Sequence, residues 1–286
     1  MPLILGMVLA WRLTGAFRWG VAALGMTGVV LVMLATYYAG EYWDYREDML
    51  GMEQPPSRFA GGSLVVQRGL LPRRAPLIAS LVSVALALGV ALALQFLCRT
   101  GPWTVPFAAI GLLGGFFYSA WPVRWVGTGV GELWIGFCYG WLPVAVGYYL
   151  QVGRLAPLVH WLAAPIAFTI FNVILLNEFP DRVADAAAGK RNLLVRLGTQ
   201  RGALLYGAMA VASWGAVLLS LGQGVPIQAL WCYAPVFVLS VLLVGLVVGG
   251  RWRDPACLER LCGANLVVNL GTTATYVLTL LGWANG

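Results

Sequence analysis

Nine apolar windows constrain this chain more than any other feature. They fall at about residues 2–14, 19–40, 76–98, 103–121, 131–150, 157–176, 203–221, 227–249 and 262–283. Only 10% of the 286 residues are charged and 60% are hydrophobic, with a mean hydropathy of +0.81. A soluble domain carries roughly 25% charged residues. No soluble fold hides this much apolar surface, so lipid must solvate most of the chain, and an α-helix needs about 17–25 apolar residues to cross a bilayer. The expected fold is therefore all-α: a polytopic membrane protein of about nine transmembrane helices, forming one domain over residues 1–286. The first window is short. Trp11, Trp19, Trp121, Trp161 and Trp283 stand at window ends, where aromatic side chains anchor spans at the interface. The N-terminal MPLILGMVLAW lacks a basic stretch and an A-x-A site, so no cleavable signal peptide is expected. The five cysteines form no C-x-x-C pair and read as packing residues rather than a disulfide framework or a zinc site.

Nine helices place alternate loops on opposite sides. One side collects fourteen of the eighteen basic residues, leaving only Arg12, Arg18, Arg99 and Arg154 on the other. The positive-inside rule makes the richer side cytoplasmic, with the N-terminus inside and the C-terminus outside. All eleven acids fall on that same side. Topology demands no such acidic bias, because Asp and Glu contribute little to orientation. The acids therefore point to a function. The net charge of +7 reflects the topology signal and whatever the basic loops bind, and nothing else in it suggests nucleic acid.

The acids form two matching motifs. GEYWDYRED carries Glu41, Asp44 and Asp48, and NEFPDRVAD carries Glu178, Asp181 and Asp185. Both read E-x-x-D-x-x-x-D and lie 137 positions apart, as in an internal repeat. Positions i, i+3 and i+7 share one helix face and span about 10 Å. Three carboxylates on one stripe repel unless a cation sits among them. Two facing stripes make an oxygen-rich site that suits Mg2+ bridged to substrate phosphates. Pro180 lies inside the second motif and is expected to weaken or kink its helix. Basic segments follow each motif: Ser57-Arg58-Phe59-Ala60-Gly61-Gly62-Ser63 after the first and Gly189-Lys190-Arg191-Asn192 after the second. Their glycines allow close backbone approach and their cations suit phosphate oxygens, although each arginine reads equally well as a topology anchor.

The sequence is identified as resembling the UbiA superfamily of intramembrane prenyltransferases, whose motifs read approximately N-D-x-x-D-x-x-x-D and D-x-x-D-x-x-x-D followed by G-K and R-L-G. NEFPDRVADAAAGKRNLLVRLG carries the most specific part of the likeness, and the likeness extends over nearly the whole chain. The segment FYSAWPVRWVGTGVGELWIGFCYGWLPVAVGYYLQVG is most similar to 1,4-dihydroxy-2-naphthoate polyprenyltransferases of menaquinone biosynthesis. The resemblance implies helices around a central cavity with a cytoplasmic cap, in an integral membrane protein of the prokaryotic inner-membrane type. It implies Mg2+ as cofactor, a polyprenyl diphosphate and an aromatic acceptor as substrates, and the bilayer as surroundings. Carried over by position, Glu41, Asp44, Asp48, Glu178, Asp181 and Asp185 are metal ligands, with Asp44 and Asp181 also catalytic. Lys190, Arg58 and Asn177 bind diphosphate, and Tyr118, paired with Ser119, lies near the reacting carbon. Gly40-Glu41 stands where the family usually has Asn-Asp, and SRFAGGSLVVQRG replaces the commoner R-P-I-x-x-G-x-I loop.

The sequence also admits other readings. Tyr118, Trp121 and Trp43 are candidate π faces for an allylic cation, and the tryptophans read equally as interface belt. Glu132 is a candidate general base or a supporting group, and His160 reads as structural. Alternative functions are a UbiA-type enzyme with another acceptor (4-hydroxybenzoate, homogentisate, a chlorophyll precursor or glycerol phosphate), a UbiA-type terpene cyclase, and a repeat-built transporter with Asn172, Asn265 and Asn269 as its interior polar groups. A CDP-alcohol phosphotransferase is disfavoured because its D-G-x-x-A-R signature does not occur.

Overall fold

A computed structural model describes residues 1–53, 57–59 and 62–282. Trp283, Ala60 and Gly61 lie outside these described residues. Every regular element among the described residues is helical. Helices α1 (Pro2–Thr14) and α2 (Trp19–Trp43) lead into a short α3 (Tyr45–Gly51). Helix α4 (Arg74–Leu92) continues as a π turn over Ala93–Leu97, and α5 covers Thr104–Ser119. Helices α6 (Gly131–Ile135) and α7 (Leu142–Val152) are joined by a π-helical stretch, Gly136–Trp141. Then follow α8 (Pro157–Ala187), α9 (Leu193–Leu197), α10 (Thr199–Leu221), α11 (Ala229–Val248) and α12 (Pro255–Gly282).

Seven rods are long and apolar enough to cross a bilayer: α2, α4 with its π turn, α6–α7, α8, α10, α11 and α12. Helices α1 and α5 are apolar but have only 13 and 16 residues. Each of the nine apolar windows is thus helical, but length alone does not support nine full crossings.

Helix boundaries differ from the windows where it matters most. Helix α2 runs to Trp43 rather than 40, and α8 runs to Ala187 rather than 176. The second acid motif therefore lies wholly on a helix. Pro180 does not break it, and α8 passes through Pro165 as well. A proline at 180 offers no N–H to the carbonyl of residue 176. That carbonyl instead accepts the buried Cys262 thiol of α12 at 3.8 Å. The break falls in the first motif, which has no proline: Asp44 separates α2 from α3 at φ −88°, ψ 11°.

Helix α8 holds the bundle together. It takes part in both large apolar clusters, one with α1, α7 and α12 around Leu5, Leu9, Leu162, Ile166 and Tyr276, the other with α10, α11 and α12 around Leu175, Tyr206 and Leu243. Helices α1 and α7 touch backbone to backbone. A Cβ at Gly6 would strike the Val144 carbonyl, and one at Gly147 would strike that of Leu3. Small residues allow such close approach where lipid provides no hydrophobic drive between helices. Polar side chains add interhelical hydrogen bonds. Asn172 donates to the Tyr206 carbonyl at 3.0 Å, the Tyr206 hydroxyl lies 3.0 Å from Asn265 Oδ1, and Asn269 donates to Thr169 at 2.9 Å. The three interior asparagines thus link helices. His160 accepts from the Trp141 indole at 2.9 Å and stacks on that ring.

Candidate active site

After the Asp44 kink, α3 packs against α8. The Ser119 hydroxyl, at the end of α5, donates to Asp44 Oδ2 at 2.6 Å. Asp44 Oδ1 faces two cations, Arg124 at 3.5 Å and Lys190 at 3.7 Å. Lys190 also reaches Asp185 Oδ1 at 3.1 Å. One buried ammonium thus joins an aspartate of the first motif to an aspartate of the second. The loop after α8 is built to hold it there. Gly189 takes a left-handed φ of +83°, and the Lys190 N–H returns to the Asp185 carbonyl at 2.9 Å. Asn192 caps α9 by accepting from the Val195 N–H at 2.8 Å, while its amide donates to Asp185 Oδ2 at 2.9 Å.

The other acids gather around this bridge. The Ser63 N–H donates to Glu41 Oε1 at 2.7 Å, and Gln67 donates to Asp48 Oδ2 at 3.0 Å. Gly62 is needed here. Its φ is +59°, and a Cβ would lie 2.9 Å from Asp48 Oδ2. Asp181 and Glu41 both act electrostatically on Asp48. On the α6 side, the buried Glu132 accepts the Leu193 N–H at 2.6 Å and faces Glu178. Tyr118 lies within electrostatic reach of Glu178, Glu132, Asp44 and Asp185, with its ring against Gly131. Asn177 is half-buried on α8, one turn before Asp181.

Arg58 stands apart from this cluster. Its side chain is 86% exposed and pairs with Glu259 at 3.0 Å rather than with the acid cluster. Arg124 stands in the cluster instead, touching Asp44 and Glu47 and lying over the Trp121 ring. It occupies a left-handed conformation at φ +51°, which costs a non-glycine residue energy and persists only when its surroundings enforce it. Arg124 is the one basic residue between α5 and α6, and no motif in the sequence singles it out. Trp121 is 62% exposed, and Trp43 packs edge-on against Tyr42.

Electrostatics follow from this crowding. Burial pushes the Asp48 carboxyl up to about 7, helped by Asp44, Glu41 and Asp181 and opposed by Lys190. Burial pulls the Lys190 ammonium down, but Asp44 and Asp185 outweigh it and hold the amine above its ordinary value. Among the described residues, no three His, Cys, Asp or Glu side chains form a ready-made metal cage. Mg2+ does not require one, since it takes one or two carboxylates and completes its shell with water and substrate phosphates. The donors are all hard oxygens, and Glu41 Oε2 and Glu178 Oε2 are buried without a hydrogen-bond partner among the described residues. This donor set fits Mg2+.

These features define an integral membrane protein with two acid-rich helix segments joined at one end of a helical bundle. The chain belongs to the UbiA prenyltransferase family, whose model matches residues 1–269, and is a membrane prenyltransferase. It is 30% identical over 261 residues to the 1,4-dihydroxy-2-naphthoate octaprenyltransferase of Mycobacterium tuberculosis, covering 87% of this chain and 82% of that one. It is 29% identical over 203 residues to the Bacillus subtilis protein of the same name, covering 68% of this chain and 61% of the relative. Among solved structures, a UbiA homologue from Aeropyrum pernix in its apo form aligns with a TM-score of 0.70 at 18% identity, covering 97% of this chain and 96% of that one. A UbiA homologue from Archaeoglobus fulgidus bound to GPP and Mg2+ aligns with a TM-score of 0.67 at 14% identity, covering 98% and 97%.

Proposed function

We propose that the protein transfers a polyprenyl group from a polyprenyl diphosphate to an aromatic acceptor in a Mg2+-dependent reaction, and that the acceptor is 1,4-dihydroxy-2-naphthoate. The observation that carries the reading is the Lys190 bridge between Asp44 and Asp185, which joins the two acid motifs in one site. The acceptor rests on the names of the relatives from M. tuberculosis and B. subtilis.

In this reading Glu41, Asp44, Asp48, Glu178, Asp181 and Asp185 hold the metal. Bound Mg2+ supplies charge that stabilises the departing diphosphate. Lys190 already stands between the motifs, so a diphosphate entering there meets a protonated amine without prior rearrangement. Asn177 contributes an amide on the same stretch of α8. Arg58 must leave Glu259 before it can reach a diphosphate. The allylic C–O bond breaks, the electron pair leaves on the diphosphate, and the cationic carbon left behind faces Tyr118. That ring stabilises positive charge through its π face. The ring carbon of dihydroxynaphthoate that bears the carboxylate forms the new C–C bond, and that carboxylate then leaves as CO2, its bonding electron pair restoring the aromatic ring. The basic-rich end of the bundle, which carries the site, faces the cytoplasm, with the N-terminus inside and the C-terminus outside.

The test is Mg2+-dependent prenyl transfer by D44A and D181A in membranes, against a panel of dihydroxynaphthoate, hydroxybenzoate, homogentisate and glycerol phosphate acceptors. Both variants should lose transfer, and the parent protein should favour dihydroxynaphthoate. Full activity in both variants would remove the metal model. Preference for another acceptor would keep the enzyme class and replace the substrate.

A further inference from the structure

A cavity of about 260 Å³ with mixed polar and apolar walls lies beside the C-terminal part of α8, next to the second acid motif. Its walls come from the far end of α8, the start of α10, the turn at Arg251–Arg253 and the start of α12. It takes Arg182 from α8, next in sequence to Asp181, and Trp252 and Arg253 from the turn. Phe179 and Leu258 form an apolar wall. None of the proposed transfer chemistry uses these residues.

Two donors at this cavity have no acceptor among the described residues. Arg182 Nε and the Trp252 indole N–H are shielded from solvent and have no hydrogen-bond partner among the described residues. Neither group can accept a hydrogen bond, so only an acceptor oxygen satisfies them. The carboxylate among the described lining residues, Glu259, is already engaged. Its oxygens take the Ser57 hydroxyl at 2.8 Å and both the Arg58 Nε and backbone N–H at 3.0 Å. Glu259 is thus neutralised by Arg58, which leaves Arg182 and Arg253 as surplus positive charge. Arg253 stacks on Trp252 at 4.6 Å and is anchored through Gln200 at 3.2 Å, so one face of its guanidinium is fixed at the rim.

We propose that this cavity binds the phosphate headgroup of an anionic phospholipid. Arginine forks match phosphate oxygens, and the indole N–H supplies a further donor. The setting favours a lipid over a free anion. The cavity lies where α8, α10, α11 and α12 leave their apolar spans, and Arg–Trp pairs at span ends occupy the headgroup layer. The apolar wall gives the glycerol and upper acyl carbons a surface that inorganic phosphate cannot use. Anionic headgroups also gather basic protein surfaces to the membrane plane. Because Arg182 and Asp181 are adjacent on α8, the lipid would brace the helix that carries the second acid motif.

The experiment is native mass spectrometry of the purified protein with phosphatidylglycerol or phosphatidylcholine, read alongside thermal stability. The parent should retain phosphatidylglycerol preferentially and gain stability from it. R182Q/R253Q should lower its affinity by roughly a hundredfold, about tenfold for each charged hydrogen-bonding side chain. R154Q, after α7 at the opposite end of the bundle, should bind as the parent does. If the double variant fails to fold, W252F and R253Q probe the same cavity singly, and each should weaken phosphatidylglycerol retention at least threefold while leaving phosphatidylcholine unchanged. Equal retention of the two lipids by the parent would overturn the proposal. So would unchanged binding in the cavity variants, or full displacement of the lipid by millimolar inorganic phosphate.

Discussion

Replacing Lys190 by glutamine removes a buried cation from between two carboxylates, and its effect should depend on metal. Lys190 Nζ lies 3.1 Å from Asp185 and 3.7 Å from Asp44. At an effective dielectric of about 20, those separations give about 5 and about 4.5 kcal/mol of attraction. Desolvating the three charges offsets most of this, and cutting one partner from a buried ionic group typically costs about 3–5 kcal/mol. The lower end applies here. Asp185 keeps its bond from Asn192, and Asp44 keeps Ser119 and Arg124. A loss of about 3 kcal/mol corresponds to a fall in Tm of roughly 6–12 °C. The stranded carboxylates then repel each other, which makes the site a better receptor for a divalent cation. In detergent micelles, K190Q should therefore unfold well below the parent without metal, and saturating Mg2+ should close at least half of that gap. Its affinity for a prenyl diphosphate analogue should nevertheless fall, because the amine that meets the phosphate is gone. A metal-free Tm within about 2 °C of the parent, or a gap that Mg2+ leaves unchanged, would refute the bridge as described.

Three further outcomes follow from the same geometry. Asp48, raised to about 7, binds a proton in the folded protein that the unfolded chain releases near its ordinary carboxylate value. Metal-free stability should thus fall as pH rises from about 4 to about 7, and Mg2+ affinity, measured by the Mg2+-induced Tm shift, should be greater at pH 8 than at pH 6. N192A removes both the α9 cap and a partner of Asp185. It should cost about 1–2 kcal/mol in denaturant unfolding and should raise the apparent KM for the prenyl donor more than that for the acceptor. G147A places a methyl group against the Leu3 carbonyl and should destabilise by about 1–3 kcal/mol. Spin labels or cysteine cross-links between α1 and α7 should report a wider spacing.

The helices were legible because apolar runs of bilayer length have few other solutions, and the acid motifs because spacing on a helix is a one-dimensional property. What remained hidden was tertiary. Asp44 breaks the first motif because its carboxylate is drawn to Ser119, Arg124 and Lys190, and no local signal announces that. Pro180 looked like the break, yet the carbonyl it strands is met by Cys262, 82 positions later. Arg58 and Arg124 looked alike as loop arginines. Which of them enters the cluster depends on Glu259 claiming one and on Glu47 and Asp44 claiming the other. Glu132 could be suspected from its place at the start of a span, but not its meeting with Leu193 and Glu178.

Lys190 is the only lysine in the chain, and it stands at the junction of the two acid motifs. Apart from an α-amino group, an amine-selective acylating reagent has one target in this sequence. While Asp44 and Asp185 hold that amine protonated, modification should be slow, so one mass increment on one peptide becomes a direct record of when the junction opens.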